Sequence, residues 1–182
     1  FFLIFSSILS VCKIWNPLEF GEVVKIEEQN DSLNIFAETA CLKVFIKSDT
    51  IIRFRLSPNG IFPKDFSYAL NDTIYNKVEY SLKEKKDSIE IRTNTICCKI
   101  NKNDLHIKIE DLEENIFYED ADGMHWEENI EFGGYYVYNS QKIKKGECFF
   151  GLGDKPTDLN LRGKKLRNWG SDTYGFEKSR DP

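Results

Sequence analysis

From Val23 onward the chain alternates apolar and polar positions with a period of two. Polar turns break the pattern at intervals of roughly eight to twelve residues, the spacing of an all-β sandwich. Residues 50–56 form the clearest run, with Ile52, Phe54 and Leu56 on one face and Arg53 and Arg55 on the other. Ser57-Pro58-Asn59-Gly60 closes that run as a turn, because proline fixes φ and Asn-Gly tolerates positive φ. Residues 33–38 and 42–47 are predicted as a strand pair. Further strands are predicted over 77–83, 88–93, 96–100 and 105–110, with 101–104 as a hairpin loop. Residues 132–139 and 147–150 complete the set. No amphipathic helix of ordinary length and no βαβ alternation is present, which excludes a doubly wound nucleotide fold. The segment 151–182 departs from the pattern: it is rich in Gly, Asp, Asn, Arg and aromatics, the composition of a long functional loop on a β scaffold.

Composition narrows the function classes without naming one. The 25 Lys and Arg stand against 30 Asp and Glu, a net charge of −5, whereas a nucleic-acid binder carries a basic excess. Aromatics at 14% supply the apolar surface that a disordered chain lacks. Five cysteines are too few and too odd in number for a disulfide scaffold. No apolar run is long enough for a membrane span. Residues 1–20 stand apart as an incomplete signal or lipoprotein-type segment. Phe1 to Cys12 has the length of a signal h-region but no basic flank, and Leu9-Ser10-Val11-Cys12 resembles a lipoprotein box with Val11 where a small residue is usual. Export and a cytoplasmic location both stay open. Two sequons, Asn30-Asp31-Ser32 and Asn71-Asp72-Thr73, would carry glycans only in a eukaryotic secretory route. The chain starts without Met and stops on Arg180-Asp181-Pro182, so a piece of a longer protein is expected.

Most candidate chemistry reduces to structure. His106 falls on the polar face of a predicted strand and His125 in a Gly-rich turn, neither with partners at metal-ligand spacing, so no metal is expected. Cys97 and Cys98 point to opposite faces of one strand, with Cys98 beside Ile96 and Ile100 in the predicted core. Gly151-Leu152-Gly153 follows a predicted strand, but Pro156 stands at the third glycine position and no helix follows, so no dinucleotide cofactor is expected. Arg162, Lys164, Lys165 and Arg167 are interleaved with acids and read as a solvated, salt-bridged loop. The acid pairs Asp120/Asp122 and Glu127/Glu128 read as surface charge beside turns.

What remains is the run from Phe149-Phe150-Gly151-Leu152-Gly153-Asp154 through Asn168-Trp169-Gly170-Ser171-Asp172-Thr173. It resembles the N-terminal domain of glycoside hydrolase family 31, where an aromatic-aromatic-Gly-Leu-Gly-acid strand end precedes a loop carrying W-x-x-D. Arg180-Asp181-Pro182 is similar to the start of the motif entering that family's barrel. Ile52-Arg53-Phe54-Arg55-Leu56 resembles its R-x-R strand. This chain has Gly170 where many members have Asn. The similarity runs over about 23–182.

The resemblance implies that 21–182 is an antiparallel β-sandwich, a galactose-mutarotase-like supersandwich, whose irregular C-terminal segment leads to a (β/α)8 barrel missing from this sequence. It implies a retaining mechanism run by two barrel aspartates that this chain lacks, on α-linked glucosides or related oligosaccharides. It also implies that Asp172 and Thr173 line the sugar pocket, with Trp169 against a sugar ring or the barrel wall. A carboxylate suits paired sugar hydroxyls because charge-assisted hydrogen bonds are stronger than neutral ones. Ser171-Asp172-Thr173 is equally an ordinary turn sequence. Two other classes stay open. A stand-alone carbohydrate-binding module could use Tyr135, Tyr136 and Tyr138, although their alternation also allows a core role. An aldose epimerase would need a histidine and a carboxylate converging for proton transfer.

Overall fold

The computed structural model describes residues 20–29, 32–64, 78–152 and 158–166. Its contacts divide the chain into two compact units, 1–142 and 143–182. The first unit is all-β. Strands β1 (Val23–Gln29), β2 (Ser32–Ala37), β3 (Cys41–Ser48) and β4 (Ile51–Ser57) form a four-stranded sheet in that order. Strands β5 (Ser81–Glu84), β6 (Ser88–Arg92), β7 (Ile96–Asn101), β8 (Ile107–Asp111), β9 (Ile116–Glu128) and β10 (Tyr135–Gln141) form a six-stranded sheet with β5 and β10 at its edges. All described pairings are antiparallel. The alternation of the sequence thus becomes two stacked sheets, the predicted sandwich.

One core lies between the sheets. Leu33, Ile35, Leu42 and Val44 meet Ile89, Ile91, Cys98 and Ile100 across it, with Ile52, Phe54 and Leu56 packed against the same cluster. Each fully buried aliphatic side chain stabilises the fold by about 1.5–3 kcal/mol relative to exposure. Phe20 and Trp126 close one end, their rings edge to face at 5.2 Å. At the other end polar groups tie the sheets together: the Thr93 hydroxyl donates to the Asp49 carbonyl at 2.7 Å. The amide of Val23 also donates to the carbonyl of Lys102 at 2.8 Å.

Several expectations change, and the strand predicted over 77–83 begins only at Ser81. The stretch 116–128, to which the alternation assigns no strand, is a thirteen-residue strand. Its register shifts between Ser140↔Gly123 and Gln141↔Asp120, and this irregularity breaks the alternation that would have marked it. Gly123 at the shift has φ +70°, and a Cβ there would come within 2.9 Å of the His106 ring, so both conformation and space require glycine. His125 accordingly sits in β9, buried, and not in a turn. The strand predicted over 132–139 begins later, at Tyr135, because Gly133 and Gly134 take φ +73° and +79° in a tight tip. Finally, 147–150 is not a strand.

Candidate functional site

The second unit carries the segment to which sugar contact was assigned. Trp169, Asp172 and Thr173 lie outside the described residues, as do Asp154, Pro156 and Arg167. What is described is the stem of that segment. The Asn160 carboxamide oxygen accepts the amides of Phe149 and Arg162, each at 3.1 Å. Leu161 N donates to the Phe149 carbonyl at 2.8 Å. The Arg162 guanidinium donates to the carbonyls of Lys144 at 3.0 Å and Glu147 at 2.7 Å. Side chains therefore take main-chain groups that a strand ladder would need, which is why 147–150 leaves the β pattern. The predicted salt-bridged loop is corrected at one member. Lys164 does pair with Asp158 at 3.1 Å, but Arg162 is bound to backbone carbonyls. Asn-x-Arg-Gly was the available sequence signal, an Asx-type local bond followed by a glycine that here has φ +73°.

On the first unit, chemistry gathers on the outer face of the six-stranded sheet. A depression of about 330 Å³ is lined by Lys99, Asn101, His106, Lys108, Asp120 and Lys142, among others. Asp120 is buried, not surface charge: its Oδ2 accepts the Ile107 amide at 2.7 Å and its Oδ1 the Tyr118 hydroxyl at 2.5 Å. Burial and that carboxylate push the Tyr118 phenol up to about 12. Glu110, also buried, bonds Lys99 and lies 3.0 Å from Lys108. Those two ammonium groups hold its carboxyl below the usual range, and the bond in turn raises Lys99. Bonded lysines likewise lower Glu90 and Glu119. Each of these carboxyls is stabilised as the anion, the opposite of what a glycosidase general acid requires. Among the described residues no group of His, Cys, Asp and Glu could hold a metal ion.

Further along β9 and β10, the His125 ring stacks on Tyr138 with centroids 5.0 Å apart, and the Tyr138 hydroxyl donates to Glu127. Tyr135 and Tyr136 stay about half exposed, so the core role left open for them does not hold. Cys98 is core as expected; burial pushes its thiol up strongly.

The Glu110 pair makes a pH dependence predictable. A carboxyl whose folded pKa is depressed adds stability above its unfolded value, about 4.3, and loses it as pH falls through the lower folded value. Urea midpoints of the chain and of Glu110→Gln should therefore differ most at neutral pH and converge below about pH 4. Parallel profiles would remove the ion pair from the account.

Comparison with known proteins agrees with this architecture. The glycosyl hydrolase 31 N-terminal galactose mutarotase-like domain matches residues 41–182. No curated protein sequence matches. A family 31 dextranase from Flavobacterium johnsoniae, solved with isomaltotriose, superposes with a TM-score of 0.70 at 20% identity, over 91% of this chain and 20% of that one. The cycloalternan-forming enzyme of Listeria monocytogenes, solved with a pentasaccharide substrate, gives 0.68 at 16% identity, over 90% of this chain and 15% of that one. A family 31 α-xylosidase from Xanthomonas citri gives 0.62 at 18% identity, over 76% and 16%. The chain thus spans a fifth or less of these enzymes, a likeness of fold. With the family's sequence pattern running from residue 41 to residue 182, the chain belongs to the glycosyl hydrolase 31 N-terminal galactose mutarotase-like domain family.

Proposed function

We propose that this chain is the accessory N-terminal domain of a retaining, α-glucosidase-type glycoside hydrolase. It packs on a catalytic barrel and supplies the loop bearing Asp172 and Thr173 to the sugar pocket. The observation that carries this is the family match over 41–182 combined with a fold that spans only 15–20% of enzymes solved with oligosaccharides. The pinned stem at Asn160 and Arg162 supports it, since a contact loop needs a rigid base. So does the ionised state of the shifted outer-face carboxyls, which leaves the acid step to residues elsewhere. The substrate class is α-linked glucosides or related oligosaccharides, reached through the full-length enzyme. The test is direct: the purified 182-residue chain should give no release from a nitrophenyl α-glucoside, and the longer reading frame should. Turnover by the chain alone, contaminants excluded, would place catalysis within it.

A stand-alone carbohydrate-binding module is the second reading, favoured by the exposure of Tyr135 and Tyr136. Titration of the labelled chain with maltose and isomaltotriose separates the two, because a module shifts the tyrosine resonances and an accessory domain does not. The epimerase reading is weakened by Asp120, whose oxygens already accept from Ile107 and Tyr118.

A further inference from the structure

The six-stranded sheet is wider than the four-stranded sheet it faces, and β10 is its overhang. The consequence shows at one cross-strand pair: Trp126 is 1% exposed, while Val137 opposite it in register is 57% exposed. Its neighbours Tyr135 and Tyr136 are 45% and 47% exposed, so both faces of the strand's first turn of alternation stand open. The tip adds Ile130 at 84% and Phe132 at 79%. Five exposed large hydrophobics thus fall within 130–137; elsewhere on the described part of the first unit Ile51 and Phe117 share the lining of one apolar depression, and Val24, Ile61 and Leu112 lie at other places in the chain. The tip is built rather than slack: Asn129 N donates to the Gly134 carbonyl at 2.9 Å, and the Asn129 side chain accepts the Phe132 amide at 3.1 Å.

Edge chemistry points the same way. Native sheets guard their edges with charge. Strand β1 carries Lys25, Glu27 and Glu28, β4 carries Arg53 and Arg55, and β5 carries Lys83 and Glu84. Strand β10, Tyr-Tyr-Val-Tyr-Asn-Ser-Gln, carries none. An uncharged, aromatic edge beside a rigid apolar tip suits a permanent intramolecular partner better than solvent.

We infer that the β9–β10 overhang is the face on which the domain docks against the body of its own longer polypeptide. The occupant follows from length: the dextranase and the cycloalternan-forming enzyme are five or more times as long as the part this chain matches, and domain interfaces of about 600–1,500 Å² are usual within one chain. The inference rests on the accessory-domain reading above and locates its interface.

Hydrogen exchange tests it on the 182-residue chain and on the full-length enzyme. Amides of 130–141 should exchange at least about tenfold more slowly in the full-length protein, with β1 and β5 unchanged. Phe132→Asp and Val137→Asp should leave the melting temperature of the chain alone nearly unmoved and lower that of the full-length enzyme by several degrees. An active full-length enzyme with no protection at 130–141 overturns the docking face and leaves the function standing; an inactive one with protection does the reverse. Two other outcomes also overturn it. Concentration-dependent protection in the chain alone, abolished by Val137→Asp, assigns the face to a second copy. Protection of the chain alone by isomaltotriose assigns it to sugar.

Discussion

Trp126→Ala is expected to destabilise the chain by about 3–5 kcal/mol, the range for emptying a buried tryptophan site. The indole is 1% exposed and meets Phe20 edge to face, so its removal leaves a cavity and strands a second ring. Domains of this kind hold only about 5–15 kcal/mol in total, so the variant should sit near the edge of folding at 37 °C. Urea unfolding followed by tryptophan and tyrosine emission measures it. Tyr135→Ala, at the exposed overhang, should stay within about 0.5 kcal/mol of the parent chain. Equal effects at the two sites would mean that Trp126 does not close the core.

Asp172→Ala in the full-length enzyme is expected to lower kcat/KM roughly 10- to 150-fold, the equivalent of about 1.5–3 kcal/mol in charge-assisted hydrogen bonds to sugar hydroxyls. Folding should hardly change. Asp158→Ala is the control: it lies in the same irregular segment, and its ion pair with the exposed ammonium of Lys164 at 3.1 Å is of the kind worth little. Wild-type kcat/KM in Asp172→Ala, or a large drop in melting temperature, would reduce Ser171-Asp172-Thr173 to a turn.

Local pattern carried the sandwich and failed where side chains replace or bury main-chain logic. Strand β4 was legible because Ile52, Phe54 and Leu56 face the core while Arg53 and Arg55 do not, with no interruption. Strand β9 was not, because Asp120, Asp122 and Gly123 imitate a turn. Only the fold shows that Asp120 is buried against the Ile107 amide and the Tyr118 hydroxyl. Glu110 was invisible for a related reason: its alternation places it on an outer face, and its burial depends on Lys99 and Lys108 from neighbouring positions. For the site, motif resemblance named Trp169, Asp172 and Thr173, while Asn160-Leu161-Arg162-Gly163 signals only a local Asx-type turn; that Asn160 and Arg162 also hold the stem depends on distant partners at Phe149, Lys144 and Glu147, which the sequence does not show.

The side-chain staple at Asn160 and Arg162 has a bearing on how such a domain diverges. Inserting one residue into a ladder turns every later side chain to the opposite face, so a ladder resists changes of length. A staple built from the Asn160 and Arg162 side chains transmits no such register. Residues on either side of it can be gained, lost or exchanged without disturbing the sandwich, much as surface loops accept insertions at small entropic cost. The stapled segment can thus change in length while the described strands of the sandwich keep their register.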